Sequence, residues 1–384
     1  MANRMVLNET CYFGYGAKDS LVDEIKGRGF KKVLVVSDPG IVDAGIAKTI
    51  TDLLDGNGIA YKLYSDVKPN PSIENVKGGV ELAKAEGVDS FVVVGGGSAI
   101  DTTKAIAIIM TNPEFGDVRS LDGVATTKNK CMPIIALPTT AGTAAEVTIN
   151  YVISDEENKK KMVCVDPHDI PVVAIVDPDL MKTMPKALAA ATGMDALTHA
   201  MEGYITKGSF LASDMFHINA IALIYKNLEK AVNNKDEDAI EKVAYGQYIA
   251  GMGFSNAGLG IVHSLAHSLG SYCHVAHGDA CAVMLPHVLK FNGSVCPDAY
   301  RDMGRAMGLS MDGLSDEAAV DAVVDAVKEL SIKIGIKQTL VELGVEKEML
   351  PIMADQAIND VCTGGNPRTT TRDDMLKLYE ETFE

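Results

Sequence analysis

Short apolar segments rich in β-branched residues alternate with helical patterns through the first half of the chain. Residues 31–37 (KKVLVVS), 90–95 (SFVVVG), 133–139 (PIIALPT) and 171–177 (PVVAIVD) have the continuous apolar character of strands that are buried on both faces. Helical periodicity, as in residues 72–87, separates one strand from the next. Because strands joined through helices pair in parallel, this pattern predicts an α/β fold with a Rossmann-like parallel sheet.

Further elements complete this region. The same criteria predict a helix over residues 43–56, a strand over 61–67 and a helix over 99–110. Between residues 145 and 165, apolar and polar residues alternate around a charged turn, which indicates a β-hairpin.

The pattern changes near residue 183. From Pro185 onward the sequence shows long helical patterns and no convincing strand pattern. A chain of 384 residues is long enough for two cores. We therefore predict an α/β domain over residues 1–183 and an all-helical domain over residues 184–384, with a ligand site in the cleft between them.

The composition excludes several classes of partner. The formal charge is −17, which argues against nucleic acid and anionic membranes, since both are bound through basic patches. No apolar run reaches the ~18–20 residues of a membrane span, and the N-terminal stretch lacks the apolar core of a signal peptide. Seven cysteines without a CxxC pair indicate free thiols in a reducing compartment, so we expect a cytoplasmic protein.

A glycine-rich turn follows one of the predicted strands and opens a helix. In GGGSAIDTTKA, residues 95–105, the glycines allow close approach of a phosphate, and the helix N-terminus favours an anion. The match to the GxGxxG dinucleotide motif is partial, because Ile100 occupies the third glycine position. The alternative is a tight turn that Ser98 or Asp101 caps.

Two other segments lie where a nucleotide would bind. Asp38 ends a strand, where a carboxylate can accept hydrogen bonds from the ribose of NAD and repel the 2′-phosphate of NADP, although it also suits an Asp-Pro-Gly turn. The segment PTTAGTAAEVTIN, residues 138–150, offers threonine hydroxyls to a pyrophosphate or ribose. A capping box from Thr143 to Glu146 explains part of that segment equally well.

Acidic and histidine side chains recur at helical spacing. Asp195 and His199 stand at i and i+4 and therefore share one helix face, as do His263 and His267, and His277 follows. One carboxylate with imidazoles suits Fe²⁺ or Zn²⁺ rather than Ca²⁺ or Mg²⁺. A polar helix face is the alternative for either pair alone, and spacing does not decide which of the later histidines bind a metal.

Five motifs together carry a family resemblance, namely GGGSAIDTTK, PTTAGTAAEVT, GMDALTHAMEGY, GIVHSLAHSLG and AHG. In this order and spacing the chain resembles the iron-dependent (group III) alcohol dehydrogenase family, and the likeness covers essentially the whole chain. The resemblance implies an N-terminal nucleotide-binding domain, an all-α C-terminal domain in the dehydroquinate synthase-like arrangement, and a homodimer. It also implies NAD and Fe²⁺ as cofactors, with Zn²⁺ as an alternative metal.

The resemblance assigns roles residue by residue. Asp195, His199, His263 and His277 match the family's metal ligands, and His267 matches a histidine near the nicotinamide and substrate, with a catalytic role in proton relay. The positions that match cofactor-binding residues are Asp38, Asn70, Gly96, Gly97, Ser98, Asp101, Thr139, Thr140, Thr143 and Lys161. The positions that match the substrate pocket are Asn150, Phe254 and Cys362.

The expected activity is the interconversion of a small aldehyde and its primary alcohol. Lactaldehyde and 1,2-propanediol are the first expected pair, with ethanol, butanol, glycolaldehyde and 1,3-propanediol as further possibilities, because one methylene changes discrimination by only ~1–3 kcal/mol. Zinc-dependent glycerol dehydrogenase and dehydroquinate synthase share the architecture and are rival readings, although the sequence shows no cluster of basic residues beside the metal motifs that would bind a sugar phosphate. A non-catalytic nucleotide-binding or structural-metal protein is a further rival.

Two positions depart from the family pattern. Ala276 stands where many relatives have proline, and His274 is an extra histidine before the last predicted ligand. His274 could compete as a ligand, but we expect it to face solvent.

Overall fold

The parallel sheet expected for the first half is present in a computed structural model, which describes residues 2–158 and 160–384. Within these residues the strands of the sheet are β1 (Thr10–Phe13), β2 (Lys32–Val36), β3 (Ala60–Tyr64), β4 (Ser90–Gly95), β6 (Ile134–Pro138) and β9 (Val173–Val176). These six strands lie in the order β1-β9-β6-β4-β2-β3, and each neighbouring pair is parallel. This arrangement confirms the predicted α/β fold class.

Helices cover both faces of the sheet. They are α1 (Ser20–Arg28), α2 (Pro39–Asp43), α3 (Ile46–Gly56), α4 (Ile73–Glu86) and α5 (Gly97–Thr111). Alternate residues of one strand enter different cores, because successive strand side chains point to opposite faces. Leu34 packs in the core that includes α4 and α5, and Val35 packs in the core that includes α1 and α3. Burial on both faces explains why the strands are continuously apolar.

A second, smaller sheet lies in the same unit of the chain. Its order is β5-β8-β7, with β5 (Gly123–Val124), β7 (Asn150–Asp155) and β8 (Lys160–Val165). β7 and β8 pair antiparallel, which confirms the predicted hairpin.

Two details differ from the sequence-based expectation. The helix predicted over residues 43–56 begins only at Ile46, because Gly45 has a φ of 76°, which a right-handed helix cannot include. β1 was not predicted, because a strand of four residues is too short to show a period.

The second half is helical. It comprises α6 (Lys186–Ile205), α7 (Leu211–Asn234), α8 (Glu237–Ala257), α9 (Ile261–Cys273), α10 (His277–Gly293), α11 (Pro297–Met307), α12 (Asp316–Ile334), α13 (Leu350–Ala357) and α14 (Arg372–Glu381). The chain forms two compact units, one made mainly of Met184–Glu384 with the short stretch Ala141–Thr143, the other of Arg4–Thr140 and Ala144–Thr183. In the described part of the chain, no helix is long and apolar enough to cross a membrane.

Candidate metal and cofactor sites

Three helices of the helical unit bring the predicted metal ligands together. α6 carries Asp195 and His199 one turn apart, α9 carries His263, and α10 begins with His277. Asp195 Oδ1 lies 3.5 Å from His277 Nε2, 3.9 Å from His263 Nε2 and 3.9 Å from His199 Nδ1. One carboxylate oxygen is therefore surrounded by imidazole nitrogens from all three helices.

Three inward-facing atoms of this cluster have no protein partner in the described part of the chain. Among the described residues, Asp195 Oδ1, His199 Nδ1 and His263 Nε2 are buried without a hydrogen bond. Burial lowers the pKa of His199 to about 4 and that of His263 to about 3, so both rings are neutral near pH 7 and have a lone pair available. Burial also raises the pKa of Asp195. Since buried polar atoms normally have partners, these atoms fit a bound divalent cation, which would compensate the carboxylate charge.

Glu202 contacts the side of the His263 ring that faces away from Asp195, and the sequence analysis missed it. Its Oε2 lies 2.6 Å from His263 Nδ1, and its Oε1 accepts a hydrogen bond from the backbone N–H of Val262 at 2.7 Å. Burial raises the pKa of Glu202 to about 7. A carboxylate on one ring nitrogen fixes the histidine tautomer and leaves the other nitrogen to bind a metal. The available signal was its position, seven residues after Asp195 on the same helix face.

His267 has a different environment from the neighbouring His263. Its Nδ1 lies 2.9 Å from Asp360 Oδ2, and Asp360 Oδ1 accepts a hydrogen bond from the backbone N–H of Cys362 at 2.8 Å. Burial by itself would raise the pKa of Asp360, but the adjacent His267 lowers it to about 2. Asp360 therefore orients the His267 ring, and the sequence analysis did not identify Asp360.

The two departures from the family pattern lie at a helix junction. His274 ends α9 in the left-handed conformation, with a φ of 55°, and is exposed. Ala276 precedes α10 with a φ of −61°, which a proline would also adopt. Among the described residues, the two groups of close His, Cys and Asp donor atoms do not include His274, as expected for a residue that faces solvent.

Cys281 is a further donor that the sequence analysis missed. It lies one turn after His277 on α10 and is buried. Its Sγ, with one donor atom each from Asp195, His263 and His277, forms a set in which all atoms lie within 4.8 Å of one another. His199 is not a member of that set, and the assignment of all four predicted ligands stays a prediction.

The predicted substrate-pocket residues lie in both units. Phe254 stacks on the His199 ring with centroids 4.2 Å apart and an interplanar angle of 9°. Cys362 lies with His267 and Asp360 in a second group of close donor atoms. Asn150 begins β7, and its backbone oxygen accepts a hydrogen bond from the buried Lys104 Nζ at 3.0 Å. Their roles toward a substrate stay predictions.

The glycine turn lies at the carboxyl end of β4 as predicted. Gly96 precedes α5, and no side chain caps this helix, so the alternative of a turn capped by Ser98 or Asp101 is wrong. A Cβ added to Gly96 would lie 3.3 Å from Thr140 Cγ2, and one added to Gly95 would lie 3.5 Å from Asp38 Oδ2. The structure therefore brings Asp38, the glycine turn and Thr140 together, beside a helix N-terminus whose dipole favours a phosphate.

The side chains around the turn differ in how many of their oxygen atoms already have hydrogen-bond partners. Asp38 Oδ1 accepts a hydrogen bond from the Ile41 N–H, so its turn role is real, while Oδ2 is the oxygen near Gly95. Asp101 Oδ2 accepts a hydrogen bond from the Val152 N–H, and burial raises the pKa of Asp101 to about 7. Thr139 Oγ1 is buried and, within the described residues, has no partner.

Three further predicted cofactor residues lie outside this turn. Lys161 Nζ donates a hydrogen bond to Asn70 Oδ1 at 3.0 Å, so these two predicted residues contact each other. Thr143 groups with the helical unit. No helix begins at Thr143 in the described chain, so the capping box with Glu146 is wrong.

Comparison with known proteins agrees with this arrangement. The family model "Iron-containing alcohol dehydrogenase" matches residues 8–178, and the model "Fe-containing alcohol dehydrogenase family, C-terminal" matches residues 189–383. Lactaldehyde reductase of Escherichia coli (strain K12) is 52% identical over 379 residues, which is 99% of each chain.

Solved structures of relatives have the same fold. That of a 1,3-propanediol oxidoreductase matches with a TM-score of 0.97 at 38% identity and covers 100% of both chains. A sulfoacetaldehyde reductase from Bifidobacterium kashiwanohense in complex with NAD⁺ matches with a TM-score of 0.88 at 30% identity, over 100% of this chain and 99% of that one. The predicted cofactors, iron and NAD, are confirmed at the level of the family.

Proposed function

The chain belongs to the iron-containing alcohol dehydrogenase family, and from that premise we propose that it interconverts lactaldehyde and 1,2-propanediol with NAD(H) and Fe²⁺. The observation that carries the proposal is the convergence of ring nitrogens from α6, α9 and α10 on Asp195 Oδ1, where, among the described residues, Asp195 Oδ1, His199 Nδ1 and His263 Nε2 are buried without a hydrogen bond. The identity of 52% over 99% of the chain to a lactaldehyde reductase supports this substrate pair.

Asp195, His199, His263 and His277 would hold the metal. When bound, the metal supplies Lewis-acid polarisation of the substrate oxygen, and NAD(H) supplies hydride transfer. Glu202 keeps Nδ1 of His263 engaged so that Nε2 faces the metal position. The close-fitting glycine turn and the free α5 N-terminus would bind the pyrophosphate of the cofactor.

His267 would exchange the proton. Asp360 engages its Nδ1, so Nε2 is the atom available to take a proton from the alcohol or to return it to the product. Replacing His267 with Ala separates this role from metal binding, because metal content and turnover are measured independently. If the variant loses metal and its turnover falls only in proportion to that loss, His267 is reassigned as a ligand.

A substrate panel tests the activity. Metal-free protein is reconstituted anaerobically with Fe²⁺ or with Zn²⁺, and NADH oxidation is followed with lactaldehyde, glycolaldehyde, acetaldehyde, 3-hydroxypropionaldehyde and dihydroxyacetone. The expected result is the highest kcat/KM with lactaldehyde and Fe²⁺. The matched control is Asp195→Asn, which should lose metal and turnover together while keeping its circular dichroism spectrum. No NADH oxidation by metal-replete protein with any of these compounds would refute the proposal.

A second candidate substrate pair is 3-hydroxypropionaldehyde and 1,3-propanediol. The solved 1,3-propanediol oxidoreductase, with a TM-score of 0.97, is the observation that favours it. The two aldehydes differ in the position of a hydroxyl group, so the ratio of their kcat/KM values decides between them. A highest kcat/KM with dihydroxyacetone and Zn²⁺ would instead favour a glycerol dehydrogenase-like enzyme.

The expected homodimer belongs to the same proposal. Light scattering on protein that elutes from a size-exclusion column measures its mass in solution and tests this expectation.

A further inference from the structure

The metal pocket contains a thiol that the family's ligand pattern does not use. Cys281 Sγ lies 3.6 Å from His277 Nε2, because the two residues are one turn apart on α10. The same sulfur belongs with Asp195, His263 and His277 to the set of donors within 4.8 Å of one another. Two of the other members, Asp195 Oδ1 and His263 Nε2, are buried and unpartnered among the described residues, which points to a ligand between them.

The distances fit direct coordination. A sulfur ~2.3 Å and a nitrogen ~2.0–2.1 Å from a tetrahedral zinc ion stand about 3.5 Å apart. The observed separation of Cys281 Sγ and His277 Nε2 is 3.6 Å, and Asp195 Oδ1 lies 3.5 Å from the same nitrogen. His199 Nδ1 and His263 Nε2 each lie 3.9 Å from Asp195 Oδ1. The separation of Cys281 Sγ and His277 Nε2 is therefore within the range of the other predicted ligand pairs of the pocket.

We propose that Cys281 is a metal ligand in this pocket and that Zn²⁺ or Co²⁺ is held by Asp195, His263, His277 and Cys281. The inference rests on the metal site of the proposed function and extends it to a second donor set. Thiolate is a soft ligand that favours zinc over harder divalent ions. Binding displaces the thiol proton to the buffer.

This donor set has a functional consequence. Zn²⁺ or Co²⁺ on these four ligands has a complete tetrahedral shell, which leaves no position for a substrate oxygen, whereas Fe²⁺ on the four ligands of the proposed function takes a higher coordination number and keeps a position open. The thiolate-bound ion would therefore occupy the pocket without supporting turnover. Cys281 makes the choice of metal a determinant of whether the pocket is active or blocked.

Cobalt reports on the sulfur directly. Co²⁺ is added to metal-free protein, and thiolate coordination is recorded as a sulfur-to-metal charge-transfer band in the near ultraviolet. The wild type should show the band, and Cys281→Ser should bind Co²⁺ without it. Competition with a chromophoric chelator should show that Zn²⁺ affinity falls at least about tenfold in Cys281→Ser, while Mn²⁺ affinity changes far less, because Mn²⁺ gains little from sulfur.

The control is Cys131→Ser, which removes a buried thiol from the other unit and should keep the band. Wild-type protein that binds Co²⁺ without the band overturns this inference and leaves the proposed function standing. Wild-type protein that binds none of Co²⁺, Zn²⁺ and Mn²⁺ overturns both. An absent wild-type band overturns the inference even if the serine variant does not fold, and loss of the band in Cys281→Ser separates Cys281 from Cys362, which lies in the second group of close donor atoms.

Discussion

His217 is a buried ionisable group whose effect on stability follows from the structure. It lies on α7, is 0% exposed, and, within the described residues, neither ring nitrogen has a partner. A Cβ added to Gly203 or to Gly253 would lie 2.3 Å from its Nε2, so the backbones of α6 and α8 enclose the ring. Burial lowers the pKa of His217 to about 3.

The sign and size of the effect follow from linkage. The folded pKa lies below the unfolded value of ~6.5, so the unfolded chain binds a proton that the folded chain does not. The contribution of neutral His217 to the free energy of unfolding is complete above pH ~6.5 and is lost as the pH falls from there toward the folded pKa of about 3. pH 5 lies ~1.5 units below the unfolded pKa, and each unit corresponds to ~1.36 kcal/mol. The free energy of unfolding therefore falls by about 2 kcal/mol at pH 5.

The test is the pH dependence of unfolding in His217→Met. Methionine does not titrate and is flexible enough to fill the space of the imidazole ring. Any change in stability that the substitution causes at both pH values cancels, because the free energy of unfolding of each protein at pH 5 is compared with that of the same protein at pH 7.5. Urea unfolding of metal-free protein, followed by circular dichroism at pH 7.5 and pH 5, should show a loss about 2 kcal/mol smaller in the variant than in the wild type. His274→Asn, at an exposed histidine, is the control and should match the wild type. Equal losses in wild type and His217→Met would mean that His217 is not held neutral in the folded protein.

Three further changes test the sites. Glu202→Gln should weaken Zn²⁺ binding in chelator competition ~10–100-fold because the ligand His263 loses its carboxylate partner, and unchanged affinity would contradict that role. Asp360→Asn should lower kcat through misorientation of His267 while the metal content measured by mass spectrometry stays at the wild-type level; equal loss of both would make Asp360 part of the metal site. Thr139→Val should raise the Kd for NADH about tenfold, as expected for a lost hydrogen bond of roughly 1.4 kcal/mol. The Kd is measured by fluorescence titration, and Ser90→Ala, at another buried hydroxyl, is the control. An unchanged Kd in Thr139→Val would exclude this hydroxyl from the cofactor site.

The fold was predictable where local pattern and burial agree. β4 is buried along its whole length, so its apolar run could be recognised from sequence, and the β7–β8 hairpin shows the alternation of a half-buried ribbon. β1 could not be recognised, because its pairing with the distant β9 defines it rather than its own period. The start of α3 depended on the conformation of Gly45, which the helical period of its neighbours hides.

The cofactor side required the structure to choose between alternatives. The sequence favoured a phosphate-binding turn in the glycine-rich segment and left a capped turn as the alternative. Gly96 precedes α5 without a side-chain cap, and a Cβ added to Gly96 would lie 3.3 Å from Thr140 Cγ2, which is a tight contact. That closeness joins two chain segments more than forty residues apart, and no local pattern carries such information.

One helix face organises the metal pocket. Asp195, His199 and Glu202 stand at i, i+4 and i+7 of α6, so a single helical stripe supplies predicted ligands and also the carboxylate that orients His263 on α9. The stripe was readable from the sequence, but its partners were not, since the donors on α9 and α10 meet it only after the helices pack. His267 is at helical spacing from His263 yet contacts Asp360 instead of the pocket's Glu202. Spacing therefore selects the residues that can share an ion, whereas the carboxylate at Nδ1 of each ring distinguishes His263, the predicted ligand, from His267, the predicted proton-exchanging residue.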